Sequence, residues 1–285
     1  MDFPICFLIR PVESNLYVLV EKNGCTGPRL RPSGGRLRIM TGAADFLTVL
    51  LCGWEQICSG RRPDNNRFGG PVGAEQVTIC CIGHTATVPA AEVVMKYTVT
   101  GDGAIHVEVS YEGQKGLPEL PVFGMRFVMP TAADGYEWDG LSGETYPDRM
   151  AGGVNGIWKE NGLPVTPYLV PQDCGVHMET QRLTITRSTV LANEMGEKNP
   201  FSISFEAGER PFAFSCLPYT ASELENALHQ EELPPARRTV VCILGAVRGV
   251  GGIDSWGSDV EEAYRISAEK AISYDFWIRG LPTGR

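Results

Sequence analysis

The sequence predicts an all-β protein built as one large antiparallel β-sandwich, and three observations support this. Apolar and polar residues alternate with a period of two through much of the chain, which is typical of strands with one buried face. Glycine- and acid-rich turn signals separate these stretches, as in short antiparallel connections. Strand segments do not alternate with helical segments, which disfavours a parallel βα architecture and a barrel of the glycosidase type.

Seven segments are predicted as strands, in chain order. The pattern is clearest where Val93, Met95, Tyr97 and Val99 alternate with polar neighbours, and a Gly-Asp-Gly turn at 101–103 leads to the next strand. The predicted strands cover residues 93–100, 105–111, 183–191, 201–205, 212–216, 239–244 and 273–278. A second turn is predicted at 206–209.

One short helix is predicted between two of the strands. Thr220 and Glu223 have the spacing of a capping box, in which each side chain bonds the other's backbone N–H. Residues 224–229 continue the helical pattern, and we expect the helix to bridge the strands at 212–216 and 239–244.

The chain divides into two predicted parts. Residues 31–285 form the sandwich domain, whereas residues 1–30 mix Pro, Gly and short apolar runs and are predicted to be an N-terminal arm or the remnant of an upstream domain. Two stretches, 60–73 and 135–162, are polar and rich in turn residues. Each is predicted to be a loop long enough to be functional.

Charge, hydropathy and cysteine content disfavour several classes of partner, location and metal or disulfide site. A net charge of −9 disfavours nucleic acid and anionic membrane surfaces, which attract basic patches. No apolar run approaches the about 20 residues that span a bilayer, and the first residues lack the basic region of a secretory signal, so we expect a cytoplasmic protein. Nine cysteines without a CxxC pair disfavour disulfides and metal clusters and are expected to be small buried hydrophobes.

The stretch GVGGIDSWG at 249–257 is the most informative motif, because it places Trp256 at the end of a glycine-rich turn. An indole offers a wide apolar face and one N–H donor, which suits a ligand that is apolar on one side and hydroxylated on the other. The alternative, that Trp256 fills the core, stays open on the residues alone. The stretch lacks the Gly-Lys-Ser/Thr of a phosphate-binding loop.

Candidate catalytic groups are few, and we assign no catalytic residue to this chain. His177, two residues before Glu179, is the best acid/base candidate among four histidines, but a single loop histidine more often serves hydrogen bonding. No nucleophile elbow is present, and no pair of carboxylates stands out. Asp148 and Arg149 are expected to form an ion pair that fixes a loop.

Six segments between residues 117 and 257 form an ordered set of motifs. They read LPELPVFGMRF at 117–127, YEWDG at 136–140, ETYPDR at 144–149, YLVPQDCG at 168–175, FAFSCLPY at 212–219 and GVGGIDSWG at 249–257. Together they resemble the small subunit, equivalently the C-terminal domain, of bacterial β-galactosidases of glycoside hydrolase family 2. The resemblance extends over residues 117–278 and thins upstream, where RRPDNNR at 61–67 is an imperfect copy of a family motif that lacks its Trp.

The resemblance implies a fold and a role. It implies a galactose mutarotase-like supersandwich that packs against a catalytic barrel on a large subunit or on the same long chain. The catalytic glutamates then belong to that barrel, as do the Mg and Na ions, and this chain holds no cofactor. Trp256, Asp254 and Ser255 are implied to line the pocket for a galactoside substrate.

Several positions depart from the family pattern. Ile253 stands where the family has an Asp, Gln181 replaces an Arg, and residues 244–247 lack an Asp and a Gln. The loop at 140–143 is one residue shorter. These changes favour a divergent β-galactosidase or a related glycosidase with altered sugar preference.

Two alternatives stay open beside the small-subunit hypothesis. One is a stand-alone aldose epimerase that uses His177 and Glu179 as acid and base. The other is a stand-alone carbohydrate-binding module, which would bind sugar without a partner chain.

Overall fold

The computed structural model describes residues 15–19, 49–51, 76–85, 87–188, 201–254 and 256–281. Within these ranges the chain forms fourteen strands and one α-helix. The strands are β1 (Asn15–Leu19), β2 (Val49–Leu51), β3 (Gln76–His84), β4 (Glu92–Thr100), β5 (Ile105–Tyr111), β6 (Val122–Met129), β7 (Gly135–Leu141), β8 (Asn155–Asn161), β9 (Val176–Thr180), β10 (Arg182–Arg187), β11 (Phe201–Ala207), β12 (Phe212–Leu217), β13 (Thr239–Val247) and β14 (Ile272–Leu281). The helix α1 is Ala221–Asn226.

These strands form two sheets in which neighbouring strands are antiparallel. The six-stranded sheet has the order β2-β1-β6-β13-β12-β9, and the eight-stranded sheet has the order β3-β4-β5-β14-β11-β10-β7-β8. The prediction of an all-β antiparallel fold is confirmed. Its seven strands are all present, although residues 189–191 of one of them lie outside the described residues.

Aromatic side chains from both sheets meet between them and form the core of the sandwich. Phe127 of the six-stranded sheet lies 5.4 Å from Phe205 of the eight-stranded sheet, measured between ring centroids, and 6.2 Å from Phe276. Tyr136 and Phe214 join the sheets in the same way, at 5.8 Å. Such tilted and edge-to-face pairs are favoured by the charge distribution of aromatic rings.

Helix α1 begins as the sequence predicts. Thr220 accepts a hydrogen bond from the Glu223 backbone, and the Glu223 side chain accepts one from the Thr220 backbone N–H. The helix lies between β12 and β13, as expected, and it is shorter than the predicted segment because Ala227 already has extended backbone angles.

One predicted loop is wrong. Residues 135–162 contain the antiparallel hairpin of β7 and β8, in which Trp138 lies opposite Trp158, and the loop proper is confined to the residues between these strands. The composition is poor in β-branched residues and rich in Gly, Asn and Glu, which disfavours a strand locally. Pairing of β7 with β10 in the sheet overrides that preference.

Before residue 76 only the backbones of β1, in the segment predicted as an arm, and of β2 are described. β1 pairs with β6 and with β2. The other residues predicted as an arm, and the predicted loop at 60–73, lie outside the described residues. Among the described helices, none has the length and apolar character that crossing a bilayer requires.

Candidate functional site

The glycine-rich turn begins directly after β13 and presents Trp256 to solvent. The Trp256 side chain is 93 % exposed, and Ile253 beside it is 59 % exposed. Gly251 and Gly252 have φ angles of 67° and 71°, a left-handed conformation that glycine adopts without steric cost. The possibility that Trp256 fills the core is therefore wrong.

Asp254 shapes the far end of this turn. Its Oδ1 accepts hydrogen bonds from the backbone N–H of Trp256 at 2.8 Å and of Ser258 at 3.2 Å, and its Oδ2 accepts one from the Ser258 hydroxyl. The bond from the Ser258 hydroxyl, followed by those from the backbone N–H groups, lowers the pKa of Asp254. The carboxylate thus organises the backbone that carries the indole. Ser255 lies outside the described residues.

The loop that carries Asp148 and Arg149 holds the glycine end of the turn. Asp148 accepts hydrogen bonds from the backbone N–H of Val250 at 3.0 Å and of Gly251 at 2.7 Å, while Arg149 Nη2 donates to the carbonyl of Gly251. A Cβ at Gly249 would lie 2.8 Å from Asp148 Cγ, so this close approach needs glycine. Asp148 and Arg149 fix a loop, but they do so by binding this turn and not by the expected ion pair with each other.

An ionic cluster around the buried Arg248 anchors the base of the turn. Arg248 is only 2 % exposed and donates to Asp259 Oδ1 at 2.7 Å and to Glu119 Oε2 at 3.4 Å. Arg265 joins the same two carboxylates at 3.2 and 3.5 Å. Burial is the largest single influence on Asp259 and opposes its ionisation, but the hydrogen bonds from Arg248 and the Val260 backbone, together with the attraction of Arg248 and Arg265, outweigh it and lower the pKa of Asp259. Two cations shared by two carboxylates join both ends of the 248–259 segment and fix it in place.

Glu144 connects this region to two further loops. Its carboxylate accepts hydrogen bonds from the Tyr146 hydroxyl at 2.8 Å, the Thr166 hydroxyl at 2.7 Å and the Gly175 backbone N–H at 2.8 Å. Leu169, 90 % exposed, lies on the loop between Thr166 and Gly175. The segment 144–149 therefore holds both the Trp256 turn and the Leu169 loop.

The structure does not assemble His177 and Glu179 into an acid/base site. His177 is 5 % exposed and stacks on Phe214, with 4.7 Å between ring centroids and 17° between planes. Burial lowers the pKa of His177 to about 4, against a weaker opposing hydrogen bond with the Gly143 backbone. Glu179 is exposed and has a φ of 56°, which turns the backbone between the two residues. One side chain therefore lies in the core and the other in solvent.

The cysteines differ in their burial. Cys174 and Cys216 are buried as predicted, but Cys80 is exposed. His106 contacts Asp275 at 2.7 Å and stacks on Trp277. In the part of the chain that the structure describes, no three His, Cys, Asp or Glu side chains are grouped to hold a metal ion.

Comparison with known proteins identifies relatives. A family model described as "Beta galactosidase small chain" matches residues 61–278. The beta-galactosidase small subunit of Latilactobacillus sakei is 57% identical over 236 residues, which cover 83% of this chain and 74% of that protein. Beta-galactosidase BgaC of Bifidobacterium adolescentis is 34% identical over 192 residues, which cover 66% of this chain but only 17% of that much longer protein.

Among solved structures, a galactose mutarotase-like protein from Lactobacillus casei matches with a TM-score of 0.35 and 12% identity, over 72% of this chain and 70% of that chain. At this TM-score and identity the match does not establish a shared fold or function. The sandwich itself is established by the two sheets described above.

Proposed function

Because the chain belongs to the beta-galactosidase small-chain family, we propose that it is the non-catalytic small subunit, or C-terminal domain, of a β-galactosidase. In this role it completes the galactoside pocket of a catalytic partner that carries the barrel. Bond cleavage, and the Mg and Na ions expected with it, belong to that partner. Two relatives support this proposal, because the match covers 74% of a protein named beta-galactosidase small subunit and 17% of a longer protein named beta-galactosidase BgaC.

The observation that carries the proposal is the exposure of Trp256 on a turn that hydrogen bonds from Asp148 and Asp254 hold in place. Burial of a large apolar side chain contributes about 1.5 to 3 kcal/mol, and this chain forgoes that contribution for Trp256. The surrounding ionic and hydrogen-bonding groups hold the turn in place all the same. A rigid support under an exposed indole is suited to a ligand or partner that covers it.

Other exposed apolar side chains lie on segments joined to the same support. Ile253 is in the turn, Leu169 is on the loop held by Glu144, and Val154 donates its backbone N–H to Ser142 at the end of β7. Apolar residues exposed on connected loops are typical of a protein contact surface. We propose that this surface contacts the catalytic partner around the sugar pocket.

The chemistry of this chain favours positioning over catalysis. Both carboxylate oxygens of Asp254 accept hydrogen bonds from its own turn, and His177 is buried in the core and neutral at pH 7. A general acid or base must reach the substrate within hydrogen-bonding distance. Of Trp256 and Asp254, the Trp256 ring is the better placed to touch a sugar.

The direct test is reconstitution. The full chain and a barrel-bearing large subunit from the same source are purified separately, mixed, and assayed for hydrolysis of a nitrophenyl β-galactoside. We expect activity well above that of either protein alone, together with co-elution of the two chains. No gain over the large subunit alone, with both proteins folded, contradicts the proposal.

The Trp256→Ala variant tests the role of the indole in the same assay. We expect normal assembly and a loss of about 1 to 3 kcal/mol in substrate affinity, seen as a raised KM, because an aromatic platform is removed. The matched control is Ile82→Ala, which removes an exposed apolar side chain on the edge strand β3. Unchanged kinetics for Trp256→Ala in a normally assembled enzyme would show that the ring does not touch the substrate.

The two alternative functions give different results with the chain alone. A sugar-binding module would bind galactosides at Trp256 without any partner. An epimerase would accelerate the change in optical rotation of freshly dissolved galactose, and His177→Gln would abolish it.

A further inference from the structure

Glu144 is the side chain that closes the Leu169 loop, residues 166–175 between β8 and β9. Its Oε2 accepts a hydrogen bond from the Thr166 hydroxyl at 2.7 Å, and its Oε1 accepts one from the Gly175 backbone N–H at 2.8 Å. These two donors lie at opposite ends of the loop, and Leu169 is exposed between them. Hydrogen bonds to a carboxylate are stronger than those between neutral groups, so one side chain holds both ends of this loop.

Tyr146 continues the hydrogen bonds from Glu144 toward the Trp256 turn. Its hydroxyl donates to Glu144 Oε1 at 2.8 Å, and its ring packs against a buried cluster that includes Leu244 of β13. Burial, followed by the charge of Glu144, raises the pKa of the Tyr146 hydroxyl well above its usual range, so the hydroxyl remains a donor at neutral pH. The Tyr146 carbonyl accepts a hydrogen bond from the Arg149 backbone N–H at 2.7 Å. Glu144 thus orients Tyr146, and Tyr146 orients Arg149.

Asp148 and Arg149 complete the path to the turn. Asp148 accepts hydrogen bonds from the backbone N–H of Val250 at 3.0 Å and of Gly251 at 2.7 Å, and Arg149 Nη2 donates to the Gly251 carbonyl. The loop and the turn are therefore bonded to the two ends of one short segment, residues 144–149.

Thr145 attaches this segment to β9. Its backbone N–H donates to the Val176 carbonyl at 2.7 Å, and its hydroxyl accepts from the Met178 backbone N–H at 2.8 Å. Thr145 is only 3 % exposed. Because the segment is attached between its two bonded ends, loss of the bonds at one end changes the orientation of the other. Chains of hydrogen bonds and packed side chains of this kind carry energetic coupling between sites.

We propose that Glu144 is a positioning residue for the Trp256 indole, because it couples the Leu169 loop to the Trp256 turn. Ordering of either one then stabilises the other, since coupling between two sites is reciprocal. This positioning role rests on the proposed function, in which the indole faces the sugar. Contact of the catalytic partner with the exposed Leu169 orders the loop, and Glu144 transmits that order to the turn that completes the sugar pocket.

Hydrogen exchange on the full chain without a partner measures the coupling, so its failure is separate from failure of the reconstitution assay. Thr166→Val removes one hydroxyl donor from the loop with little change in side-chain shape. We expect exchange at the Val250 and Gly251 amides to become about three- to tenfold faster, within the range usual for coupled sites. Exchange at the amide of Val241, buried in β13, is expected to stay unchanged.

Two further variants test the path of the coupling. Tyr146→Phe removes the hydroxyl bonded to Glu144 and keeps the packed ring, so Thr166→Val is expected to add little acceleration in that background. Thr186→Val is the matched control, because it removes a partly buried hydroxyl that bonds Ser202 at 2.9 Å in another part of the fold. It is expected to leave exchange in the turn unchanged. Melting curves confirm that each variant folds.

The effect on the indole is measured in the reconstituted enzyme. Glu144→Gln keeps the shape of the side chain but removes its charge, and is expected to raise KM for the nitrophenyl β-galactoside about three- to tenfold with little change in kcat, as for lost uniform binding. Combined with Trp256→Ala, it is expected to raise KM no further than Trp256→Ala alone, because Glu144 acts through the indole. A merely structural residue would not show this dependence on Trp256.

Three results overturn the proposal. Unchanged exchange at Val250 and Gly251 in folded Thr166→Val would show that the loop and the turn are not coupled. Equal acceleration at Val241 would show a general loss of stability instead. Additive increases in KM for Glu144→Gln and Trp256→Ala would show that Glu144 acts independently of the indole.

Discussion

Replacing His177 by glutamine is expected to make the stability of the protein less sensitive to acid. In the unfolded chain the imidazole has its ordinary pKa of 6.5, whereas burial against Phe214 and Trp138 lowers the folded-state pKa to about 4. Below pH 6.5 the unfolded state therefore binds a proton that the folded state does not. The free energy of unfolding falls progressively from pH 6.5 to about pH 4, below which both states are protonated.

The size of this effect follows from the two pKa values. At about 1.4 kcal/mol for each unit of pKa, the difference between 6.5 and about 4 corresponds to roughly 3 kcal/mol. Glutamine does not titrate, so the variant lacks this fall in the free energy of unfolding at acid pH. It also removes the ring stacked on Phe214, which is expected to lower stability at neutral pH by about 1 kcal/mol. The stability difference between variant and unaltered protein should change by about 3 kcal/mol in favour of the variant between about pH 7 and pH 4.

Urea unfolding followed by tryptophan fluorescence at several pH values measures this difference. The raised pKa of Asp173 has the opposite effect, since its folded state gains a proton as pH falls through about 6, but it is common to both proteins and cancels in the comparison. The matched control is His84→Gln, because His84 is largely exposed. If the stability curves of His177→Gln and of the unaltered protein run parallel from neutral to acid pH, the imidazole is not held neutral in the core and the reasoning is refuted.

Two further substitutions test the packing around the sheets and the turn. Gly245→Ala places a Cβ 2.2 Å from the Tyr274 ring, so we expect thermal unfolding to show a loss of about 1 to 3 kcal/mol, and an unchanged melting temperature would contradict that contact. Asp148→Asn weakens the bonds from Val250 and Gly251 by removing the charge that they meet, so we expect faster hydrogen exchange at these two amides and a loss of about 1 kcal/mol; unaltered exchange rates would show that other contacts hold the turn.

The sequence predicts the strands whose two faces have different surroundings. In β5, Val107, Val109 and Tyr111 are buried while the residues between them are partly exposed, and this alternation is visible in the sequence. The capping box of α1 is equally local, since Thr220 and Glu223 are three residues apart. Both features depend on nearest neighbours along the chain, which is why they can be recognised without the fold.

Strands stabilised mainly by tertiary pairing are harder to recognise. β7 has buried residues on both faces. β8 alternates between exposed and partly buried positions, but its apolar Ile157 lies on the exposed face, so the sequence does not show this period. Their register, Gly135 opposite Asn161 through Leu141 opposite Asn155, is set by partners that only the folded sheet supplies.

The support of the Trp256 turn is likewise a property of the fold. Asp148 and Gly251 are 103 residues apart, and Arg248 and Glu119 are 129 residues apart. The sequence can place an indole at the end of a glycine turn, but whether that indole is buried or presented depends on these distant contacts. The expected pairing of Asp148 with Arg149 is wrong for the same reason, because the turn offers both side chains better partners than each other.

Under the proposed function, these contacts limit what the Trp256 turn can contribute to sugar recognition. Asp254, Asp148 and Arg149 direct their polar atoms at the turn, and Arg248 is buried beneath it. What the turn then presents outward is an aromatic face with one N–H donor, which can hold a pyranose ring but matches few of its hydroxyl groups. Discrimination between sugars requires donors and acceptors placed against individual hydroxyls. Under the proposed function, we expect those groups to come mainly from the catalytic partner.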